Sequence, residues 1–108
     1  MQLDHLYRET TAWESSVRFW ADLGFEFEEQ WGSRPHRAGR LTDGETSIVL
    51  AEVPSDPVDS VFLAVGDIEA VAANAGLAVI DTHWGTRMVS LTDPDGRVYN
   101  LEPRSAAS

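Results

Sequence analysis

The three histidines, His5, His36 and His83, are the residues best suited to acid–base or metal chemistry in this chain. The sequence has no cysteine, which excludes disulfides, thiolate metal sites and a cysteine nucleophile. It also has no Gly-x-Ser-x-Gly elbow, Walker loop or dinucleotide fingerprint. His36 and His83 lie in loop-like stretches, where we expect exposed or packing residues. His5 lies in a strand without an acid at a recognisable spacing, so we expect it to line a binding surface, and we predict no catalytic residue.

The four tryptophans could stack on a planar ligand or make cation–π contacts with a charged one. Trp13 and Trp20 fall on the apolar stripe of a predicted helix and are expected in the core. Trp31 and Trp84 fall at a strand end and in a loop. For these two, ligand stacking and interface packing both remain open.

The charge pattern is strongly acidic, with 18 Asp and Glu against 8 Lys and Arg and a formal net charge of −10. Nucleic acid is therefore not expected as a partner, because binding a phosphate backbone requires clustered basic residues. An acidic field could concentrate a cationic ligand, although ordinary solubility explains the same charge. The cluster of Glu26, Glu28 and Glu29 has the same two interpretations, a solvated face or the rim of a pocket for a basic ligand.

The first half of the chain shows the pattern β-α-β-β-β. Apolar residues spaced by three and four follow Thr11, and Glu14 completes a predicted capping box for a helix that ends at Gly24. Asp43 and Gly44 predict a hairpin turn. Alternating or apolar runs predict strands at 3–8, 25–31, 37–42 and 46–53. Arg8 falls on the helix side of its strand, where it either pairs with a helix carboxylate or lies at an exposed edge.

The second half repeats this order in a shorter form. Asp67 is predicted to cap a helix over 68–74 that Gly76 ends. The turn Asp93-Pro94-Asp95-Gly96 suits a connection between the last two strands. The predicted strands of this half are 61–65, 77–81, 87–92 and 97–101. The repeat of the β-α-β-β-β order indicates two related modules.

Together the halves predict an α+β fold in which two βαβββ modules form a curved mixed sheet with helices on the outer side. We expect one domain over 1–108, with module one at 1–53, a linker at 54–58, module two at 59–104 and a tail at 105–108. The start of the chain has no basic apolar leader, and no apolar run approaches the ~20 residues that span a bilayer. A cytoplasmic location without membrane contact is therefore expected.

The order of elements resembles that of the vicinal oxygen chelate superfamily, which includes glyoxalase I, extradiol dioxygenases and bleomycin-binding resistance proteins. The resemblance covers nearly the whole chain. The stretches that carry it are Leu3-Asp4-His5-Leu6, Ser16-Val17-Arg18-Phe19-Trp20-Ala21-Asp22-Leu23-Gly24-Phe25, Asp67-Ile68-Glu69-Ala70, and Trp84-Gly85-Thr86-Arg87 through Asp93-Pro94-Asp95-Gly96.

In metal-dependent members of that superfamily, a divalent ion is held at positions that the resemblance assigns to His5, Val49, Ser60 and Asn100. His5 alone is a good ligand for such an ion, so no metal and no cofactor are predicted. A relocated site built on His5 and Glu102 remains an alternative, and it would make the chain a metal-dependent enzyme of the glyoxalase or dioxygenase type.

The metal-free, bleomycin-resistance-like branch is the nearest comparison, and it implies a homodimer that sequesters a small organic ligand. The Trp84-Gly85-Thr86-Arg87 stretch is similar to one in that branch. Strand alternation and the two tryptophans outside the predicted helix predict the ligand-binding set His5, Tyr7, Trp31, Val49, Ser60, Phe62, Trp84, Met88, Ser90, Asn100 and Glu102. The charge favours a cationic ligand. A regulatory or scaffolding domain without a ligand is the third possibility.

Overall fold

A computed structural model describes residues 1–104, and the predicted tail at 105–108 lies outside the described residues. The chain divides into two compact units. The N-terminal unit is His5–Asp59, and the C-terminal unit consists of Met1–Asp4 together with the chain from Ser60 onward. In chain order the elements are β1 (Gln2–Thr10), α1 (Trp13–Asp22), β2 (Glu26–Trp31), β3 (Ala38–Thr42), β4 (Ser47–Glu52), β5 (Asp59–Val65), α2 (Ile68–Ala75), β6 (Ile80–Asp81), β7 (Arg87–Thr92) and β8 (Val98–Pro103).

In the N-terminal unit the strand order is β2-β3-β4-β1. β1 pairs with β4 in parallel, and β3 pairs with both β2 and β4 in antiparallel fashion. α1 covers one face of this sheet by packing Trp13 against Leu41 and Leu50, which are almost completely buried. The opposite face is free of the helix and carries the inward residues predicted from alternation.

The start of α1 differs from the predicted capping box. Ala12 is the N-cap, and no side chain caps the helix, so the prediction for Thr11 and Glu14 was wrong. The Thr10 hydroxyl instead accepts a hydrogen bond from the Ala12 backbone N–H at 3.0 Å and shares another with the Ser16 hydroxyl at 2.6 Å. Thr10, at the end of β1, therefore organises the start of the helix in place of the neighbouring Thr11, because the Thr10 hydroxyl contacts both the turn and the helix.

In the C-terminal unit the strand order is β5-β8-β7-β6, with β5 and β8 parallel and the β7 pairs antiparallel. Ile68 and Ala72 of α2 pack on Val65, Val89 and Leu101. Both units thus combine parallel and antiparallel pairs with one helix, which confirms the predicted α+β class with a mixed sheet.

The ends of α2 follow the sequence signals closely. The Asp67 side chain accepts a hydrogen bond from the Ala70 N–H at 3.1 Å, and Gly76 has a left-handed φ of 69°. The Leu77 N–H still bonds the Ala72 carbonyl at 2.9 Å, so the chain is completing the helix end where the sequence predicted a strand. For this reason β6 contains only Ile80–Asp81, whereas the prediction was 77–81.

Arg8 pairs with Asp59 at 3.5 Å, so its partner comes from the start of β5 and is not a helix carboxylate. His36 and His83 lie outside the helices and strands and are exposed, as predicted. No helix within residues 1–104 is long and apolar enough to cross a bilayer.

Candidate functional site

The C-terminal unit contains a pocket of about 470 Å³ on the face of its sheet that α2 leaves uncovered. Ala64 and Glu102 face each other across the parallel β5–β8 pair and lie side by side in the pocket lining. The remaining walls come from β1, from the turn that leads into β7 and from the end of β8 with the residue after it. The lining residues are Asp4, Ala64, Gly85, Thr86, Arg87, Glu102, Pro103 and Arg104.

Two hydrogen bonds constrain the Glu102 side chain in the pocket wall. Its Oε2 accepts a hydrogen bond from the indole N–H of Trp84 at 3.0 Å and another from the Thr86 hydroxyl. Oε1 has no hydrogen-bond partner within residues 1–104. A carboxylate can accept about four hydrogen bonds, so Glu102 is held in one orientation while half of its accepting capacity remains available.

The loop before β7 delivers Trp84 and Thr86 to Glu102. Its ends are joined by the Thr82 N–H, which donates to the Thr86 carbonyl at 2.8 Å, and by the Thr86 N–H, which donates to the Thr82 hydroxyl at 2.9 Å. Gly85 has a φ of 90°, a left-handed conformation that glycine adopts without strain. The Gly85 N–H closes the turn on the Thr82 carbonyl at 3.2 Å. This turn therefore fixes the positions of Trp84 and Thr86, which both donate hydrogen bonds to Glu102.

The pocket lining carries charges of both signs. Arg87 is paired with Glu69 of α2, so its charge is largely neutralised at the pocket wall. Arg104 forms no ion pair within the described chain, and Asp4 adds a second carboxylate to the lining. The site therefore offers one oriented carboxylate within a mixed electrostatic environment.

The other predicted residues of this unit share the sheet face of Glu102 but do not line the pocket. Phe62 and Asn100 are cross-strand partners, and both are buried. The Asn100 side-chain amide donates to the Ser60 hydroxyl at 3.3 Å. Ser90 lies opposite Asn100 and is exposed, while Met88 is half-buried. Of the predicted set, Glu102 lines the pocket, and Trp84 does not line it but donates a hydrogen bond to Glu102.

The N-terminal unit carries the predicted residues His5, Tyr7, Val49 and Trp31 on its helix-free face. Tyr7 and Val49 are cross-strand partners on β1 and β4. The Tyr7 hydroxyl donates to Glu9 at 2.9 Å, and burial together with this carboxylate raises the pKa of Tyr7 to about 12. His5 and Val49 are buried, whereas 45% of the Trp31 surface is exposed at the end of the edge strand β2.

The sequence predictions missed several residues of these faces. Thr86 belonged to a stretch already singled out, but its hydroxyl contact with Glu102 has no sequence signal. Asp4 and Arg104 lie near the ends of the described chain, where periodicity gives no information about proximity. Arg40 could have been found, because alternation along β3 from its partner Val49 places it on the helix-free face.

The donor atoms at the positions of the superfamily metal site do not suit a divalent ion. Val49 has no donor atom in its side chain, and Ser60 and Asn100 offer only neutral oxygen donors. No group of three or more His, Asp or Glu side chains that could hold a metal occurs among residues 1–104. Metal sites of this kind require at least three converging imidazole or carboxylate ligands. The residues present therefore do not fit the metal that the sequence resemblance implies.

No family model matches the chain, and no curated protein matches it in sequence. Several solved structures are similar to it. A glyoxalase/bleomycin resistance protein/dioxygenase superfamily member from Vibrio splendidus aligns over 95% of this chain and 100% of its own, with a TM-score of 0.77 and 18% identity. A hypothetical protein from Bacillus halodurans aligns over 99% of this chain and 96% of its own, with a TM-score of 0.75 and 15% identity.

Methylmalonyl-CoA epimerase from Mycobacterium tuberculosis has the same fold, with a TM-score of 0.70 and 16% identity over 99% of this chain and 92% of its own. The chain therefore has the fold of the vicinal oxygen chelate superfamily, as the sequence resemblance predicted. Proteins of this fold include an epimerase, so the fold alone does not select a function, which has to be argued from the site.

Proposed function

We propose that this protein is a metal-free binding protein for a small cationic organic molecule, which it sequesters without transforming it. The observation that carries the proposal is Glu102, a carboxylate fixed by Trp84 and Thr86 in the wall of a pocket of about 470 Å³. Pockets for small organic ligands span roughly 300–1,000 Å³, so the volume suits such a ligand.

The geometry of Glu102 favours binding of a cation. Two hydrogen bonds to Oε2 hold the side chain in place before a ligand arrives, so little side-chain freedom is lost on binding. An amine or amidine that reaches Oε1 gains a charge-assisted hydrogen bond, which is stronger than a neutral one. The net charge of −10 adds a long-range attraction for the same ligand.

Sequestration is the mode we favour over catalysis. The pocket lining has no histidine, lysine, cysteine or serine, and its Glu102 carboxylate is already engaged by hydrogen bonds from Trp84 and Thr86. The superfamily metal positions offer too few donors for Lewis-acid chemistry, as described above. The resemblance to the metal-free, bleomycin-resistance-like branch supports the same interpretation.

Trp84 provides a direct test, because its indole N–H is bonded to Glu102. The test titrates the protein with benzamidinium and with larger planar cations, bleomycin among them, and follows the indole N–H resonances by NMR. We expect at least one cation to shift the Trp84 resonance. In Glu102→Gln the affinity should fall about tenfold or more, since a hydrogen bond to a charged group is worth about 1.5–3 kcal/mol.

The matched control is Glu28→Gln, which alters the net charge equally but changes an exposed residue of β2. Its affinity should equal that of the wild type. If no cation of the panel shifts the Trp84 resonance, or if both variants bind equally well, the proposal is wrong.

We also propose that the protein is a homodimer in the cytoplasm. The C-terminal unit exposes several large apolar side chains, and exposed apolar surface commonly marks association sites. These side chains are Met1, Leu3, Ile80, Trp84 and Val98, each at least 40% exposed. Light scattering should give twice the chain mass of 11.9 kDa, and a monomer at every concentration would contradict the dimer.

A further inference from the structure

Arg40 lies in the middle of the helix-free face of the N-terminal unit. On β3 it is directly opposite Val49 of β4 on one side and Glu29 of β2 on the other. Val49 is buried, and Arg40 itself is half-buried. The Arg40 side chain thus lies beside a buried valine in a chain that is otherwise strongly acidic.

Arg40 differs from the other arginines of its unit. Arg8, Arg34 and Arg37 each pair with a carboxylate, at 3.5, 3.5 and 2.8 Å. Arg18 has no such partner but is exposed on α1, where water solvates it. Within the described chain, Arg40 combines partial burial with the lack of any ion pair or side-chain hydrogen bond, even though Glu29 stands opposite.

A guanidinium without an ion pair is available to bind an anion. A guanidinium stays protonated in proteins, so Arg40 presents a permanent positive charge on this face. Its five N–H donors form a planar fork that matches a carboxylate or phosphate. An anionic ligand that reaches this fork gains two charge-assisted hydrogen bonds.

Trp31 supplies a second element of a binding surface on the same face. It pairs with Ala38, which is two residues from Arg40 along β3, so Trp31 and Arg40 are diagonal neighbours. Side chains in this relation are about 7–8 Å apart and within reach of one ligand. With 45% of its surface exposed, the Trp31 ring can stack on an aromatic ring whose acidic group bonds Arg40.

We propose that this face is a second binding site, with a charge preference opposite to that of the Glu102 pocket, and that it takes an aromatic carboxylate. The acid group would form a bidentate pair with Arg40, and the ring would lie on Trp31. The inference goes beyond the proposed function, because it concerns different residues on a different unit.

Benzoate and its neutral isostere benzamide provide the test. Benzoate should shift the Trp31 indole resonance of the wild-type protein, and benzamide should bind much more weakly. In Arg40→Ala the benzoate affinity should fall about tenfold to a hundredfold, as expected when a charge-assisted pair is lost. Arg40→Lys should also bind more weakly than the wild type, because an ammonium cannot form the planar fork.

Arg18→Ala is the matched control, since it removes one positive charge from the same unit and should leave the benzoate affinity unchanged. Glu102→Gln should likewise leave it unchanged, which separates this site from the cation pocket. Equal binding of benzoate and benzamide by the wild type, which requires no variant to fold, would overturn the proposal. So would an unaffected affinity in Arg40→Ala or an unmoved Trp31 resonance.

Discussion

At the scale of single residues, the fixed geometry of Glu102 depends on contacts that no sequence pattern encodes. Alternation along β8 places Glu102 on the helix-free face, and this much was predictable. The donors Trp84 and Thr86 come from a loop 18 and 16 residues earlier, and only the folded turn shows that both reach one oxygen. At the start of α1 the sequence pattern favoured the wrong residue, because the hydroxyl of Thr10 and not that of Thr11 makes the contacts there.

Arg37 and Glu52 form a bidentate ion pair, which should make stability depend on pH. Arg37 donates to both carboxylate oxygens of Glu52, at 2.9 and 2.8 Å, and this holds the pKa of Glu52 at about 2 instead of 4.5. A carboxyl whose pKa is lowered by folding stabilises the folded state above its unfolded pKa. That contribution is lost as the pH falls from about 4.5 towards 2.

We therefore expect Glu52→Gln to be less stable than the wild type at pH 7 and the difference to shrink at pH 3. Urea unfolding at both pH values measures it. Asp56→Asn is a control in the linker region, where the loss of an exposed carboxylate should have little effect at either pH. A Glu52→Gln deficit that stays constant with pH would show that the ion pair contributes through packing alone.

At the scale of elements, the two ends of α2 and the turn before β8 were predictable because each depends on one residue type, whereas the predicted cap of α1 was wrong. Asp67, Gly76 and the glycine of the turn before β8 behave as their chemistry requires. The length of β6 was not predictable, because Leu77 satisfies the end of α2 before it can join a sheet. Competition between neighbouring elements for one backbone N–H leaves no trace in hydrophobic periodicity.

The contact between β2 and β3 depends on Gly39. A Cβ atom added at Gly39 would lie 2.5 Å from the Phe27 ring and 2.8 Å from the Glu29 carbonyl oxygen. Gly39→Ala should therefore destabilise the protein by about 1–3 kcal/mol, the usual cost of overpacking. At Gly66 an added Cβ meets nothing within 4 Å, so Gly66→Ala should be nearly neutral. Equal urea midpoints for the two variants would contradict this account of the β2–β3 contact.

At the scale of the whole molecule, the repeated β-α-β-β-β order predicted the fold of both units. The repeat is visible because each half needs its own helix cap, hairpin turn and alternating strands. The sequence could not reveal the pocket, whose lining joins residue 4 to residues 64, 85–87 and 102–104. Such proximity between distant segments arises only when the chain folds.

The donor set at the superfamily metal positions also makes a prediction for the whole protein. Elemental analysis of the purified protein should find less than one divalent ion per chain, and a chelator should leave its unfolding temperature unchanged. A stoichiometric nickel, zinc or iron ion that disappears in His5→Ala would instead establish a relocated metal site and an enzymatic function.

Calorimetry can measure directly whether Glu102 makes the pocket select a cationic ligand over a neutral one. Benzamidinium and benzamide have nearly the same shape and differ in charge, so the ratio of their dissociation constants isolates the electrostatic contribution. We predict a ratio that favours benzamidinium at least about tenfold in the wild type and approaches one in Glu102→Gln. A ratio near one in the wild type, or the same ratio in both proteins, would contradict the claim that Glu102 selects a cationic ligand.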